Sequence, residues 1–102
     1  MYLLVQDVAE TRGVSAAGMM GVLDCETGRD YSDPTIQSRY IRKDGTREQS
    51  FGYPQWHVPA RNDITYEQAI NPYYSLDHMA KEIKAGRLKA WSCWRHYYTE
   101  VE

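Results

Sequence analysis

The chain has 102 residues, a formal net charge of −2, 42% hydrophobic residues and 25% charged residues. This balance is typical of globular proteins, and the length predicts that residues 1–102 form one domain around one core. The absence of a block of Lys and Arg argues against nucleic acid as the main partner. Nine Tyr and three Trp against one Phe favour a wet groove such as a sugar or nucleobase site. A small core that uses little Phe is the alternative.

The N-terminal sequence lacks the features of a targeting segment. Residues 1–5 are apolar but are followed at once by Gln6, Asp7, Glu10 and Arg12, which interrupt any signal-peptide core. No apolar run approaches the length of a membrane span. We therefore expect synthesis in the cytoplasm, no membrane insertion, and delivery by another component if the substrate lies outside.

The two cysteines, Cys25 and Cys93, do not form a CxxC motif, so no zinc site is expected. A disulfide between them is one option. Two free buried thiols are the expectation for a chain without an export signal. No metal ion or cofactor is predicted.

The chain is predicted to begin with two neighbouring helices. An apolar stripe through Val5 and Val8 indicates a helix over residues 2–12, which Gly13 ends. Ser15 is a suitable N-cap for the next helix. Because the connection is short, the two helices should pack against each other.

The second helix is apolar on nearly every side and ends at Glu26, Thr27 and Gly28. Glu26 continues the row of Met19 and Val22, so its side chain should point along an apolar face. Burial and the negative end of the helix dipole would both raise its pKa toward that of a general acid. The alternative is an ordinary last-turn glutamate that reaches solvent.

A loop over residues 29–36 leads into a predicted β-hairpin. The runs 37–42 and 47–51 are compatible with strands, and Asp44-Gly45 between them suits a tight turn. Such a hairpin is only marginally stable alone, so it is expected to pack against the helices.

The exit from the hairpin offers an amide at Gln55 and a stacking face at Trp56, just after Gly52. A plain exit from a strand would have a similar sequence. His57 has no second ligand at metal spacing and is expected at the surface or in the groove.

The remaining sequence is predicted to be helical. A capping box at residues 65–68 opens a short helix, and Asn71 followed by Pro72 opens a longer one. A last helix is expected over residues 88–98. The predicted class is therefore mainly α (α+β), with about five helices and one small hairpin beside a groove.

Several segments follow one another in a distinctive order: a helix ending in Glu-Thr-Gly, a polar hairpin, Ser-Phe-Gly-Tyr-Pro-Gln, and Asn-Pro-Tyr-Tyr-Ser-Leu leading to Ala-Trp-Ser-Cys-Trp. Over roughly residues 4–98 this order resembles the lysozyme-like transglycosylase domain. That family includes soluble lytic transglycosylases, goose-type lysozymes and small phage cell-wall enzymes (endolysins). The resemblance implies a lysozyme-like fold.

The resemblance implies that Glu26 is the catalytic acid. It places the following residues in the substrate groove: Thr27, Ser50, Gly52, Tyr53, Gln55 and Trp56. The sequence departs from the family at Tyr53-Pro54, where Leu-Met is usual, and at Ser75, where Asn is usual. These departures affect the details of substrate binding.

The implied activity is cleavage of the β-1,4 bond between N-acetylmuramic acid and N-acetylglucosamine in peptidoglycan. The resemblance favours a lytic transglycosylase, which closes a 1,6-anhydro ring. A muramidase, which is a hydrolase, would need a second carboxylate. Five acidic residues are available, and none lies in a motif that marks it: Asp30, Asp33, Asp44, Glu48 and Asp63.

The competing class is a non-catalytic glycan-binding or structural protein, for example of a phage particle. In every case the expected partner is a peptidoglycan glycan strand, bound by a monomer. Access to the bacterial cell wall would come from phage delivery or from release through a holin.

Overall fold

The computed structural model describes residues 1–87, 91 and 93. Within that part the chain forms four α-helices, a short antiparallel sheet and one 3-10 helix, which confirms the mainly α class. The elements are α1 (Tyr2–Arg12), α2 (Ala16–Thr27), β1 (Ser50–Phe51), β2 (Trp56–His57), a 3-10 helix (Val58–Ala60), α3 (Tyr66–Ile70) and α4 (Pro72–Lys84). The helix predicted over residues 88–98 falls largely outside the described residues.

The helix starts are set by the side chains that the sequence indicated. Ser15 Oγ accepts a hydrogen bond from the Gly18 N–H at 3.0 Å. Both hydrogen bonds of the capping box between Thr65 and Gln68 are present at the start of α3. Asn71 caps α4, with Pro72 in the first turn. Each cap satisfies an N–H that the helix itself leaves without a partner.

The core lies where α1 packs against both α2 and α4, which confirms that the first two helices are neighbours. Its fully buried members include Val5, Val8, Met19, Val22, Leu23, Leu76 and Met79. At the edge, Arg12 donates two hydrogen bonds to Asp77, at 3.0 and 2.8 Å, and joins the end of α1 to α4. No helix in the described part of the chain is both long and apolar enough to cross a membrane.

The predicted hairpin is present but irregular. Isolated bridges pair Gln37 with Phe51 and Ile41 with Arg47, in one antiparallel register around the Asp44-Gly45 turn. Regular pairing occurs instead between β1 and β2, where Phe51 lies opposite Trp56. The sequence did not indicate this second, tighter hairpin.

The turn between β1 and β2 requires unusual backbone geometry. Gly52 has φ +80°, and a Cβ there would lie 2.0 Å from the carbonyl oxygen of Ala69. Gln55 has φ +57°, which is uncommon for a residue with a side chain. This close approach packs the turn against α3.

The expectation of two free thiols is wrong, because Cys25 and Cys93 form a disulfide with a Cα–Cα distance of 6.2 Å. The partners are 68 residues apart, and nothing local in the sequence indicates the pairing. The bond joins the last turn of α2, one residue before Glu26, to the C-terminal part of the chain.

Candidate active site

Glu26 lies in the last turn of α2, which Gly28 ends with the left-handed backbone that the sequence predicted (φ 64°). Its Oε1 atom is buried and has no hydrogen-bond partner among the residues that the structure describes. Burial without a partner disfavours a charged oxygen. The helix therefore brings the carboxyl group into surroundings in which the protonated form is favoured.

The pKa of Glu26 is raised to about 7. Burial is the largest of the three effects that set this value. A hydrogen bond from the Cys93 backbone N–H lowers the pKa, and the nearby negative charge of Glu48 raises it. A carboxyl group with a pKa near 7 can both give up and take back a proton at neutral pH. This is the property that a general acid requires.

Glu26 lines a pocket of about 230 Å³. Three segments form it: the end of α2, the first arm of the hairpin, and the turn between β1 and β2. The lining residues are Glu26, Thr27, Gly28, Ile36, Gln37, Ser38, Arg39 and Gln55. Small-molecule pockets span about 300–1,000 Å³, so this pocket is small and has room for about one sugar ring of a longer glycan.

Two residues that the resemblance assigned to the groove, Thr27 and Gln55, line this pocket beside Glu26. The Thr27 hydroxyl donates to the carbonyl of Leu23 at 2.8 Å, within α2. The Gln55 amide nitrogen donates to the carbonyls of Ile36 and Gly52, at 3.1 and 2.8 Å. Both amide hydrogens are thereby used, so Gln55 can offer a ligand only its Oε1 as an acceptor.

Four other residues that the resemblance assigned to the groove are buried and are not among the residues that line this pocket. Trp56 is 1% exposed and donates its indole N–H to Ser75 Oγ at 3.0 Å, so its ring has no free face for a sugar. Tyr53 is buried and donates its hydroxyl to the carbonyl of Tyr31 at 3.0 Å. Gly52 packs against Ala69.

The fourth, Ser50, is also buried and donates to Glu48 Oε1 at 3.2 Å. Tertiary packing, which one sequence does not reveal, decides each of these positions.

Glu48 is a carboxylate that influences Glu26 and that no sequence motif marks. Its two oxygens accept hydrogen bonds from Ser38 Oγ at 3.0 Å and Ser50 Oγ at 3.2 Å. Ser38 itself lines the pocket. The signal that could have found Glu48 is the hairpin register, which places it across from Tyr40, near the residues that follow the loop from α2.

A second group of acidic residues and a histidine lies away from the pocket. Potential metal-ligating atoms of Asp63, His78 and Glu82 all lie within 4.8 Å of one another. However, Arg61 binds Asp63 at 2.6 Å, and Arg87 donates to Glu82. Two guanidinium groups already balance the two carboxylates, so this cluster is suited to holding the fold together and does not fit a metal ion.

Comparison of the chain with protein-family models, with curated proteins and with solved structures found no match. The chemistry of the pocket and the order of the motifs therefore carry the functional argument.

Proposed function

We propose that this domain cleaves peptidoglycan glycan strands at the β-1,4 bond between N-acetylmuramic acid and N-acetylglucosamine. Glu26 would be the general acid. The observation that carries the proposal is that Glu26 lines a pocket and has a pKa of about 7, with its Oε1 buried and without a hydrogen-bond partner in the described part of the chain. The lysozyme-like motif order supplies the substrate class.

In the proposed reaction, Glu26 donates its proton to the glycosidic oxygen as the bond to the muramyl anomeric carbon breaks. The resulting Glu26 carboxylate then accepts the proton of the muramyl 6-hydroxyl, whose oxygen bonds to the anomeric carbon. This closes a 1,6-anhydro ring, which is the product of a lytic transglycosylase. A single group with a pKa near neutral can serve in both steps.

A muramidase is the second candidate, and the presence of Glu48 near Glu26 favours it. Hydrolysis by two carboxylates uses one as acid and the other to direct water or to stabilise the developing cation. Mass spectrometry of digested peptidoglycan separates the candidates. A transglycosylase yields 1,6-anhydromuramyl ends, whereas a muramidase yields reducing muramic acid ends only.

The proposal is tested by adding the purified protein to isolated cell walls and following the loss of turbidity. Glu26→Gln keeps the shape of the side chain but removes the transferable proton, so the initial rate should fall by about 10²–10⁴-fold. Glu10→Gln is the matched control, because Glu10 is exposed on α1. Near-normal lysis by Glu26→Gln contradicts the proposal.

The same assay separates the enzyme from a non-catalytic binding protein. A wild-type protein that sediments with cell walls but never reduces their turbidity would be a glycan-binding module. In the enzyme, Glu26→Gln should still sediment with the walls while failing to dissolve them.

A further inference from the structure

We propose that Arg39 and Arg47 form a carboxylate-binding edge of the pocket, which binds the acidic residues of the short peptide that peptidoglycan carries on its muramyl sugars. This inference rests on the proposed function, because that function brings a muramyl sugar to Glu26. The binding edge would select a glycan that bears peptides over an uncharged glycan such as chitin.

The hairpin beside the pocket is basic, although the protein as a whole is acidic. Residues 37–49 contain four basic and two acidic residues, whereas the whole chain has a formal net charge of −2. Asp44 accepts hydrogen bonds from Thr46 within the turn, and the Glu48 carboxylate accepts one from Ser38. Among the described residues, neither acid forms an ion pair with a basic residue of the hairpin. The positive charge is therefore available to a ligand.

Arg39 brings this positive charge to the pocket itself, because it is the cationic residue among those that line the pocket in the described part of the chain. Its side chain is 82% exposed, and it pairs with the carboxylate of Asp30 at 3.4 Å. An exposed ion pair of this kind is weak, so a substrate carboxylate can replace Asp30. The other lining side chains with N–H or O–H groups already donate to protein acceptors: Thr27, Gln37, Ser38 and Gln55.

Arg47 places a second guanidinium group beside the same lining residues. Its Nε donates to the Ser38 carbonyl at 2.6 Å, and its Nη2 donates to the Gln37 carbonyl at 3.2 Å. Both carbonyls belong to residues that line the pocket. These bonds orient the guanidinium group without neutralising its charge, and they leave further N–H donors for a ligand.

The hairpin register places the two arginines on one face. Arg47 pairs with Ile41, and Arg39 stands two residues before Ile41, so all three project from the same face. Diagonal neighbours on one face of an antiparallel pair lie about 7–8 Å apart, which lets two guanidinium groups bind one peptide together. Arg42 and Glu48 belong to the alternate positions and project from the opposite face.

The size of the pocket determines where the peptide must lie. Because a volume of about 230 Å³ holds about one sugar ring, a peptide attached to that sugar has to leave the pocket across its edge. An extended chain advances about 3.3–3.6 Å per residue, so an acidic residue two or three positions along lies about 7–10 Å from the sugar. That distance is within reach of the long side chains of Arg39 and Arg47, and guanidinium groups bind carboxylates with two parallel hydrogen bonds.

The test measures binding to isolated cell walls in a Glu26→Gln background, so that the walls are not digested. Adding Arg39→Gln should raise the dissociation constant about fivefold at about 0.15 M salt, because one exposed charged contact is lost. Arg42→Gln is the matched control, since it removes the same charge from the opposite face of the same hairpin. It should change the dissociation constant by less than about twofold.

Amidation of the wall carboxyl groups with a carbodiimide and ammonium identifies the ligand. On amidated walls, Arg39→Gln and its parent should bind equally, because the partner of the guanidinium group has become neutral. On untreated walls, Arg47→Gln should weaken binding and Arg47→Lys should restore most of it. Equal losses in these two variants would overturn the part assigned to Arg47.

Normal binding of Arg39→Gln to untreated walls overturns the binding edge. An equal loss in Arg42→Gln also overturns it, because the attraction would then be a general effect of positive charge. A loss in Arg39→Gln that persists on amidated walls overturns the choice of carboxylates and points to phosphate polymers of the wall instead.

These results are independent of cleavage. A wild type that lyses walls, together with normal binding by Arg39→Gln, overturns the binding edge alone. A wild type that lyses no walls but binds them through Arg39 in this amidation-sensitive way overturns the cleavage and keeps the edge. A wild type that does not bind walls overturns both.

Discussion

Glu26 lies in α2 and Glu82 lies in α4, and the two glutamates differ in the groups that surround their carboxyl oxygens. Glu82 is 4% exposed; it accepts a hydrogen bond from Arg87, and its Oε1 lies 3.8 Å from Arg61 and 3.6 Å from His78. Oε1 of Glu26 has no such partner in the part of the chain that the structure describes. A buried carboxyl group that is paired with cations holds elements together, whereas burial without such partners raises the pKa, as it does for Glu26.

The largest expected effect on stability separates these two residues. Glu82→Gln leaves Arg61 and Arg87 near a neutral amide, so the free energy of unfolding should fall by about 3 kcal/mol. Glu26→Gln should leave it unchanged or slightly higher, because the amide replaces a group that is disfavoured as an ion. Urea unfolding of both variants checks this. Equal losses of unfolding free energy in the two variants would contradict this difference between Glu26 and Glu82.

The Cys25–Cys93 disulfide bears on Glu26 and not on Glu82, because Cys25 precedes Glu26 in α2 and the Cys93 backbone N–H donates a hydrogen bond to Glu26. Replacing both cysteines by Ser should lower the free energy of unfolding by about 3 kcal/mol, since the unfolded chain regains the freedom of a long loop. Thermal unfolding with and without a reductant measures this. Two free thiols in denatured, unreduced wild type would contradict the disulfide.

The pH dependence of stability should also differ between wild type and Glu26→Gln. Because the pKa of Glu26 rises from an ordinary 4.5 to about 7 on folding, its stabilising contribution is complete below pH 4.5. It is then lost as pH rises through about 7.

Relative to Glu26→Gln, the wild type should lose about 2 kcal/mol over this range, after allowance for the access of solvent to the pocket. The wild-type kcat should decline above the same pH. Urea unfolding at several pH values gives the difference, and parallel curves for the two proteins would contradict it.

The smallest effect is expected at Gln55, which both lines the pocket and supports the turn between β1 and β2. Gln55→Ala removes two hydrogen bonds to backbone carbonyls, so the free energy of unfolding should fall by about 1 kcal/mol and the lytic rate should also decrease. Gln49→Ala, at an exposed hairpin position, is the control. A stability loss above about 2 kcal/mol with unchanged lysis would make Gln55 structural only.

The features that the sequence predicted are those with local causes. The sequence predicts helix starts at Ser15, Thr65 and Asn71 and helix ends at Gly13 and Gly28, because capping involves residues within one turn. The row from Met19 to Glu26 likewise predicted the burial that raises the pKa of Glu26. In each case the deciding interaction lies within a few residues of the signal.

The features that the sequence missed depend on contacts between distant residues. Cys25 pairs with Cys93 across 68 residues, and Trp56 is buried because α4 brings Ser75 to its indole N–H. Glu48 meets Ser38 because of the hairpin register. Periodicity identifies which face of an element is apolar, but it does not say which element covers that face.

The most direct test of the account is a titration of the Glu26 carboxyl group in the wild-type protein, followed by carbon-13 NMR with labelled glutamate. Glu26→Gln identifies the resonance by its disappearance. The account predicts half-protonation near pH 7, well above the ordinary value of 4.5. A midpoint near 4.5 would mean that Glu26 is an ordinary solvated carboxylate at neutral pH, and it would contradict the role of Glu26 as the acid.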